Sequence, residues 1–211
     1  MKKIVFTVVL FGASMHADIL EVPTQYGTIQ SAIDAASNGD SIHILSGEYN
    51  ETLNTLGKAI ELIGVDGAEM TTVDATGIGG SVIVCNTNET SDTLITGLTM
   101  TGGTGTLHPI WETYQGGGVF AYFASPTITD CVVIGNTAEF AGGVWAQEYF
   151  GTINNVRFEQ NQSTHPKTGG AGGLYLWNST AVVSNCLFEV VPSLGRRESS
   201  PSSKRKSASC G

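Results

Sequence analysis

The 211-residue chain carries 10 Lys and Arg against 19 Asp and Glu, a formal charge of −9, which makes nucleic acid and anionic membrane surfaces poor partners. With 41% hydrophobic and 14% charged residues, it is long enough for one sizeable core and short for two, so one elongated domain is expected. The 27 glycines and 8% aromatics favour short strands and tight turns over helices. In chain order, residues 1–17 (MKKIVFTVVLFGASMHA) hold two lysines, an apolar run over 4–13 and a cut site after Ala17. That is the shape of a secretory signal peptide, with Met15 bulkier than the usual residue before the cut. The run is too short to span a bilayer, and no other segment reads as transmembrane. Removing it leaves 8 basic against 19 acidic residues, a net charge of −11.

The expected domain is 18–189. Near its start, Thr28 is placed to cap a short helix whose apolar side is Ile29, Ala32, Ile33 and Ala36, ended by Asn38 and Gly39. Strands are predicted at 41–45 and 59–63, with Ile42, Ile44, Ile60 and Leu62 inward. Further along, three stretches align without a gap: GGVFAYFASPTITDCVVIGN from Gly117, GGVWAQEYFGTINNVRFEQN from Gly142 and GGLYLWNSTAVVSNCLFEVV from Gly172. A weaker fourth copy ends in TLITGLTMTGG. Ile95, Ile128, Ile153 and Val183 share one apolar column; Leu98, Cys131, Val156 and Cys186 the next; Met100, Val133, Phe158 and Phe188 the third. Repeats of this length, made of β-formers punctuated by Gly and Asn, predict a solenoid. The short helix is then its N-terminal plug.

The first two columns are three residues apart, one more than a continuous strand allows. One residue therefore turns a corner: Gly97, Asp130, Asn155 or Asn185, all types that tolerate left-handed backbone. Cys131 and Cys186 lie two coils apart, about 9.6 Å at ~4.8 Å per coil. A disulfide needs Cα atoms within roughly 7 Å, so both are expected to be reduced and buried.

A column of Asn at a corner resembles the asparagine ladder of right-handed parallel β-helices such as pectate lyases, here Asp130, Asn155 and Asn185. VPTQYGTIQSAIDAASNGDSIHILSGEYNE resembles the common N-terminal segment of that superfamily. The GG-V and PTITDC units resemble repeats of exported bacterial β-helix proteins and polymorphic outer-membrane proteins. The resemblance implies an all-β, right-handed parallel β-helix with a short N-terminal capping helix, secreted or at the outer surface of a bacterial cell. GEYNE at 47–51 also resembles the first signature segment of pectin methylesterases. The companion segments of that family, of the QAV or QAL, DFIFG and LGRPW types, are missing, as are the NTD, DD, GHG and RIK segments of polygalacturonases.

Three loops fall at one corner: 104–115 (TGTLHPIWETYQ), 137–141 (TAEFA) and 162–171 (QSTHPKTGGA). They are expected to bring His108, Trp111, Tyr114, His165 and Lys167 together for sugar binding, with Glu112 and Glu139 as candidate acid and base and Arg157 as a further catalytic candidate. The competing reading is that insertions land where the scaffold tolerates them. Phe120, Trp145 and Tyr175 form a second candidate, with Tyr122 and Trp177 two residues on. They are an outward stacking ladder if Val119, Val144 and Leu174 point inward, and an internal stack in the other register. GGG at 116–118 reads as a turn or close coil stacking, since no Lys-Ser/Thr follows it. Residues 64–69 (GVDGAE) and 74–80 (DATGIGG) suggest calcium but lack its ligand spacing, so no cofactor is expected and calcium stands as an alternative that no motif supports.

The residues favour a carbohydrate-binding, adhesive or structural module. The alternative is a lyase or hydrolase acting on acidic polysaccharide through the loop cleft. A glycan is the expected partner class, and exposed coil ends offer end-to-end self-association. The tail over 190–211 holds 5 of the 10 basic residues. It reads as a disordered end that is either a basic anchor or the truncated or frame-shifted remnant of further repeats.

Overall fold

The computed structural model describes residues 17–165 and 170–189; nearly all of the expected signal segment, Lys167, Cys210 and the basic tail over 190–211 lie outside them. Strand β1 (Ile19–Val22) leads into helix α1 (Ile29–Ala35). The first full coil is β2 (Ser41–Ile44), β3 (Gly47–Tyr49) and β4 (Leu53–Asn54), and the second is β5 (Glu61–Gly64), β6 (Thr71–Asp74) and β7 (Ile83–Cys85). The third is β8 (Leu94–Thr96) and β9 (Thr99–Thr101), an inserted hairpin of β10 (Thr106–Leu107) and β11 (Tyr114–Gln115), then β12 (Val119–Tyr122). The fourth is β13 (Thr127–Thr129), β14 (Val132–Ile134), β15 (Thr137–Ala138) and β16 (Val144–Gln147). The fifth is β17 (Thr152–Asn154), β18 (Arg157–Glu159), β19 (Gln162–Ser163) and β20 (Leu174–Trp177). β21 (Val182–Ser184) and β22 (Leu187–Glu189) begin the sixth.

These strands stack in parallel into three faces. The first face runs β1-β2-β5-β8-β13-β17-β21, the second β3-β6-β9-β14-β18-β22 and the third β4-β7-β12-β16-β20. The chain is a right-handed parallel β-helix with a helical N-terminal plug. The repeat register holds residue for residue: Ile95, Ile128, Ile153 and Val183 stack in the first face, and Met100, Val133, Phe158 and Phe188 in the second. Alternation along each strand sends these side chains inward, where water-excluded apolar area supplies most of the stabilisation. Ile42, Ile44, Ile60 and Leu62 are fully buried in the same core.

The corner between the first and second faces is turned by Gly97, Asp130, Asn155 and Asn185, with φ of 67°, 53°, 53° and 53°. The ladder there is partial. Asn155 donates to Asp130 Oδ1 at 2.6 Å, but Asn185 donates to Asn154 Oδ1 at 2.8 Å, not to Asn155. A second ladder, from the buried Asn136 to the half-buried Asn161, stands at the next corner. Asn136 Nδ2 donates to the Met100 carbonyl at 2.9 Å and to Asn161 Oδ1 at 3.1 Å, while its Oδ1 accepts the Gly103 amide at 2.9 Å. Cys131 and Cys186 are buried in the column between, where their Sγ atoms donate to the carbonyls of Thr129 at 3.1 Å and Ser184 at 3.2 Å.

The GG that opens each repeat is a matter of close approach. A Cβ on Gly143 would lie 2.1 Å from the Gly173 carbonyl oxygen, and one on Gly118 would lie 2.6 Å from Val133 Cγ1. Gly116 alone in the GGG run has positive φ, at 62°.

Candidate functional site: an aromatic cluster on the third face

The three corner loops do lie side by side. β15 pairs with β19, Gln115 bridges Phe140, the Phe140 amide donates to the Tyr114 carbonyl at 3.2 Å, and the His165 amide donates to the Glu139 carbonyl at 3.1 Å. The third-face register decides the orientation of the aromatics. Phe120, Trp145 and Tyr175 pair in one row and Tyr122, Gln147 and Trp177 in the next. Val119, Val144, Ala121 and Ala146 fill the central core, whereas Phe120 and Trp145 belong to a separate apolar cluster on the outer side. The ladder is therefore outward.

It is not an open stacking strip, however. Phe120 and Trp145 are 1% and 0% exposed. The β10–β11 hairpin folds over them, and His108 pins it. The imidazole is fully buried, stacks on Trp111 at 4.3 Å and meets Phe120, Tyr122 and Trp145 edge-on at 6.4, 5.1 and 5.1 Å. Its Nδ1 accepts the amides of Ile110 and Trp111 at 3.2 and 3.1 Å, so the proton sits on Nε2 and is donated to Gln147 Oε1 at 3.2 Å. Burial holds the His108 pKa below the ordinary histidine value.

What remains exposed is a second tier. Trp111 and Trp177 are 40% and 47% exposed and meet edge-to-face, ring centres 5.4 Å apart at 82°. Phe123, Glu148 and Asn178 occupy successive left-handed corner positions at the end of the third face, with φ of 50°, 52° and 47°. The Phe123 amide donates to the Gln147 carbonyl and the Glu148 amide to the Trp177 carbonyl, and Asn178 Nδ2 donates to Glu148 Oε1. Phe123 is half-exposed. The arrangement presents flat apolar rings beside an amide and a carboxylate.

The sequence-predicted residues divide accordingly. Trp111 is at the exposed tier; His108, Phe120 and Trp145 are buried beneath it and hold it in place, so their assignment as ligand contacts is corrected to a supporting role. Tyr175 is half-buried at the edge of their cluster. Tyr114 is exposed on the hairpin, with its amide held by Glu139 Oε2 at 2.7 Å. His165 lies against Phe140, ring centres 4.4 Å apart. Glu112 is exposed at the hairpin turn with φ of 53°. Arg157 is elsewhere: on the outer side of the second face it is clamped by Glu69 and Glu159, each at 2.8 Å. Phe123, Glu148 and Asn178 were not among the expected site residues, and Trp177 was expected only as a companion of the Phe120, Trp145 and Tyr175 row. For Trp177 the signal was its repeat position two residues after Tyr175.

Among the described residues no group of three or more His, Cys, Asp and Glu is arranged to hold a metal ion, and no helix is long and apolar enough to cross a membrane. No family model and no curated protein matches the chain. Among solved structures it is similar to a pectin methylesterase in complex with a hexasaccharide, at 16% identity and a TM-score of 0.46, over 80% of this chain. The chain spans 66% of the length of that structure. The β-helix itself is established by the strand order and register of this chain.

Proposed function

We propose that the chain is a glycan-binding module of a secreted or cell-surface β-helix protein, and that it binds through the exposed tier of the third face. The observation that carries this reading is the Trp111–Trp177 pair: two half-exposed indoles held edge-to-face over a buried aromatic bed. Pyranose rings present apolar C–H faces, and rigid aromatic surfaces bind them at low entropic cost. Glu148 and Asn178 at the rim supply hydrogen-bonding groups for hydroxyls. Phe123 adds support, because a bulky residue at positive φ is unusual and such backbone strain clusters at binding sites.

An acid–base or lyase reading needs a free carboxylate pair or a basic group in the cleft. Glu139 is occupied by the Tyr114 amide and Arg157 by two glutamates, so binding without turnover is favoured. Trp177→Ala is expected to weaken glycan binding by about 1–2 kcal/mol, roughly tenfold, with the fold intact by circular dichroism. Calorimetry against a soluble glycan panel checks this. Unchanged affinity in the variant, or release of new reducing ends or unsaturated products, would count against the reading.

A further inference from the structure

Resting on the glycan-binding reading, the charge layout of the molecule narrows the ligand class. We infer that the site takes neutral glycans and discriminates against uronate-bearing ones. Only two lysines or arginines, Lys58 and Arg157, occur among the described residues, and both are committed to other partners, Lys58 at the N-terminal plug and Arg157 on the second face. Lys58 Nζ donates to the carbonyls of Ile33, Asp34 and Ala36 at 2.6, 2.9 and 2.8 Å, which uses all three of its hydrogens. The Arg157 guanidinium is neutralised on the second face by Glu69 and Glu159. Of the two imidazoles near the site, His108 is buried, uncharged, and has both nitrogens occupied, and the His165 ring lies against Phe140 in the neighbouring loop.

The groups around the exposed indoles have the opposite character. Glu148 stands at the rim beside Asn178, Glu112 sits one residue beyond Trp111 at the hairpin turn, and Glu139 lies in the neighbouring loop. Ionised carboxylates accept hydrogen bonds and donate none. Hydroxyls of a neutral hexose satisfy them; the carboxylates of a polyuronate offer only further acceptors and like charge. The chain's net charge of −9 acts in the same direction at longer range. Selectivity thus follows from what the rim can accept: sugars whose polar groups donate and whose ring faces are apolar.

Affinity electrophoresis of the full chain in gels containing a neutral β-glucan or galactomannan, against polygalacturonate or alginate, tests this. Retardation by a neutral polymer is expected, with at least about tenfold weaker retention by the polyuronates at low salt. That gap should narrow near ~0.5 M NaCl as like-charge repulsion is screened. Trp177→Ala should weaken retention by about tenfold and Glu148→Gln should raise retention by polyuronate. Polyuronate retained as tightly as the neutral polymers, yet weakened in Trp177→Ala, overturns the neutral-ligand inference and leaves glycan binding standing. A polyuronate preference abolished by Lys167→Ala overturns it in the same way. Retention by no polymer of either class overturns both.

Discussion

At the scale of single residues, His108 does more than its position in a loop suggests. Its neutral ring is the only tautomer compatible with two amides donating into Nδ1 and one proton leaving Nε2 for Gln147. Every ring it faces, Trp111, Phe120, Tyr122 and Trp145, is uncharged, so burial outweighs the hydrogen bond to Gln147 and an imidazolium is disfavoured. With the folded pKa lowered by burial, the open hairpin takes up a proton more readily than the closed one. The stabilisation is therefore complete above the ordinary value of about 6.5 and is lost as pH falls from there toward the lowered folded value. All three tryptophans of the chain, Trp111, Trp145 and Trp177, lie in this cluster. Intrinsic fluorescence is thus expected to shift to the red between pH 7 and pH 5, and His108→Gln should remove that transition. A spectrum flat over this range in the native protein would show that the imidazole is not the latch.

At the scale of the element, the seven-residue α1 is too short to hold itself together. Thr28 and Ser31 form a reciprocal capping box at its start. The rest is supplied by the first coil. Both oxygens of Glu51 accept amides of the first turn, Ile29 at 2.9 Å and Gln30 at 3.0 Å, and Lys58 closes the other end on three carbonyls. Each charge opposes the helix dipole at its own end. Tyr49 adds its hydroxyl to the Leu45 carbonyl at 2.8 Å. The GEYNE segment, which resembles an esterase signature, thus serves here to seat the plug. Glu51→Gln is expected to cost about 1–2 kcal/mol and Lys58→Met about 2–3 kcal/mol, read as lower urea midpoints at constant slope. Midpoints unmoved by both changes would mean that the plug is held by apolar contact alone.

At the scale of the whole molecule, stability depends on how closely coils approach. Gly143→Ala places a methyl carbon 2.1 Å from the Gly173 carbonyl oxygen, while Gly27→Ala meets nothing within 4 Å. The first is expected to cost about 3 kcal/mol or more and the second less than ~0.5 kcal/mol, by thermal or urea unfolding. Equal stability of the two variants would refute the close-stacking account of the GG pairs.

Much of this architecture was legible in the residues. The three apolar columns and the left-handed corner positions follow from strand alternation and from a spacing one residue too long, both local properties. The cover on the third face was not legible. Alternation tells which side of a strand a ring occupies, but not what lies on top of it. The contact that decides that, His108 to Gln147, spans 39 residues. The Asn136–Asn161 ladder was missed for a related reason: an asparagine chosen for its backbone and one chosen for its amide look the same in a repeat.

The coils differ greatly in length yet stay in register. Ile42, Leu62, Ile95, Ile128, Ile153 and Val183 stack directly, although successive members are separated by 20, 33, 33, 25 and 30 residues. The β10–β11 hairpin and the loops beside it take up part of the difference at the corner between the second and third faces. Chain entropy makes this inexpensive, since doubling a loop adds only about 0.6 kcal/mol to its closure. Mutational drift can therefore lengthen, shorten or exchange what stands at that corner without retuning any strand, so the surface that meets the outside world is free to evolve faster than the cylinder that carries it.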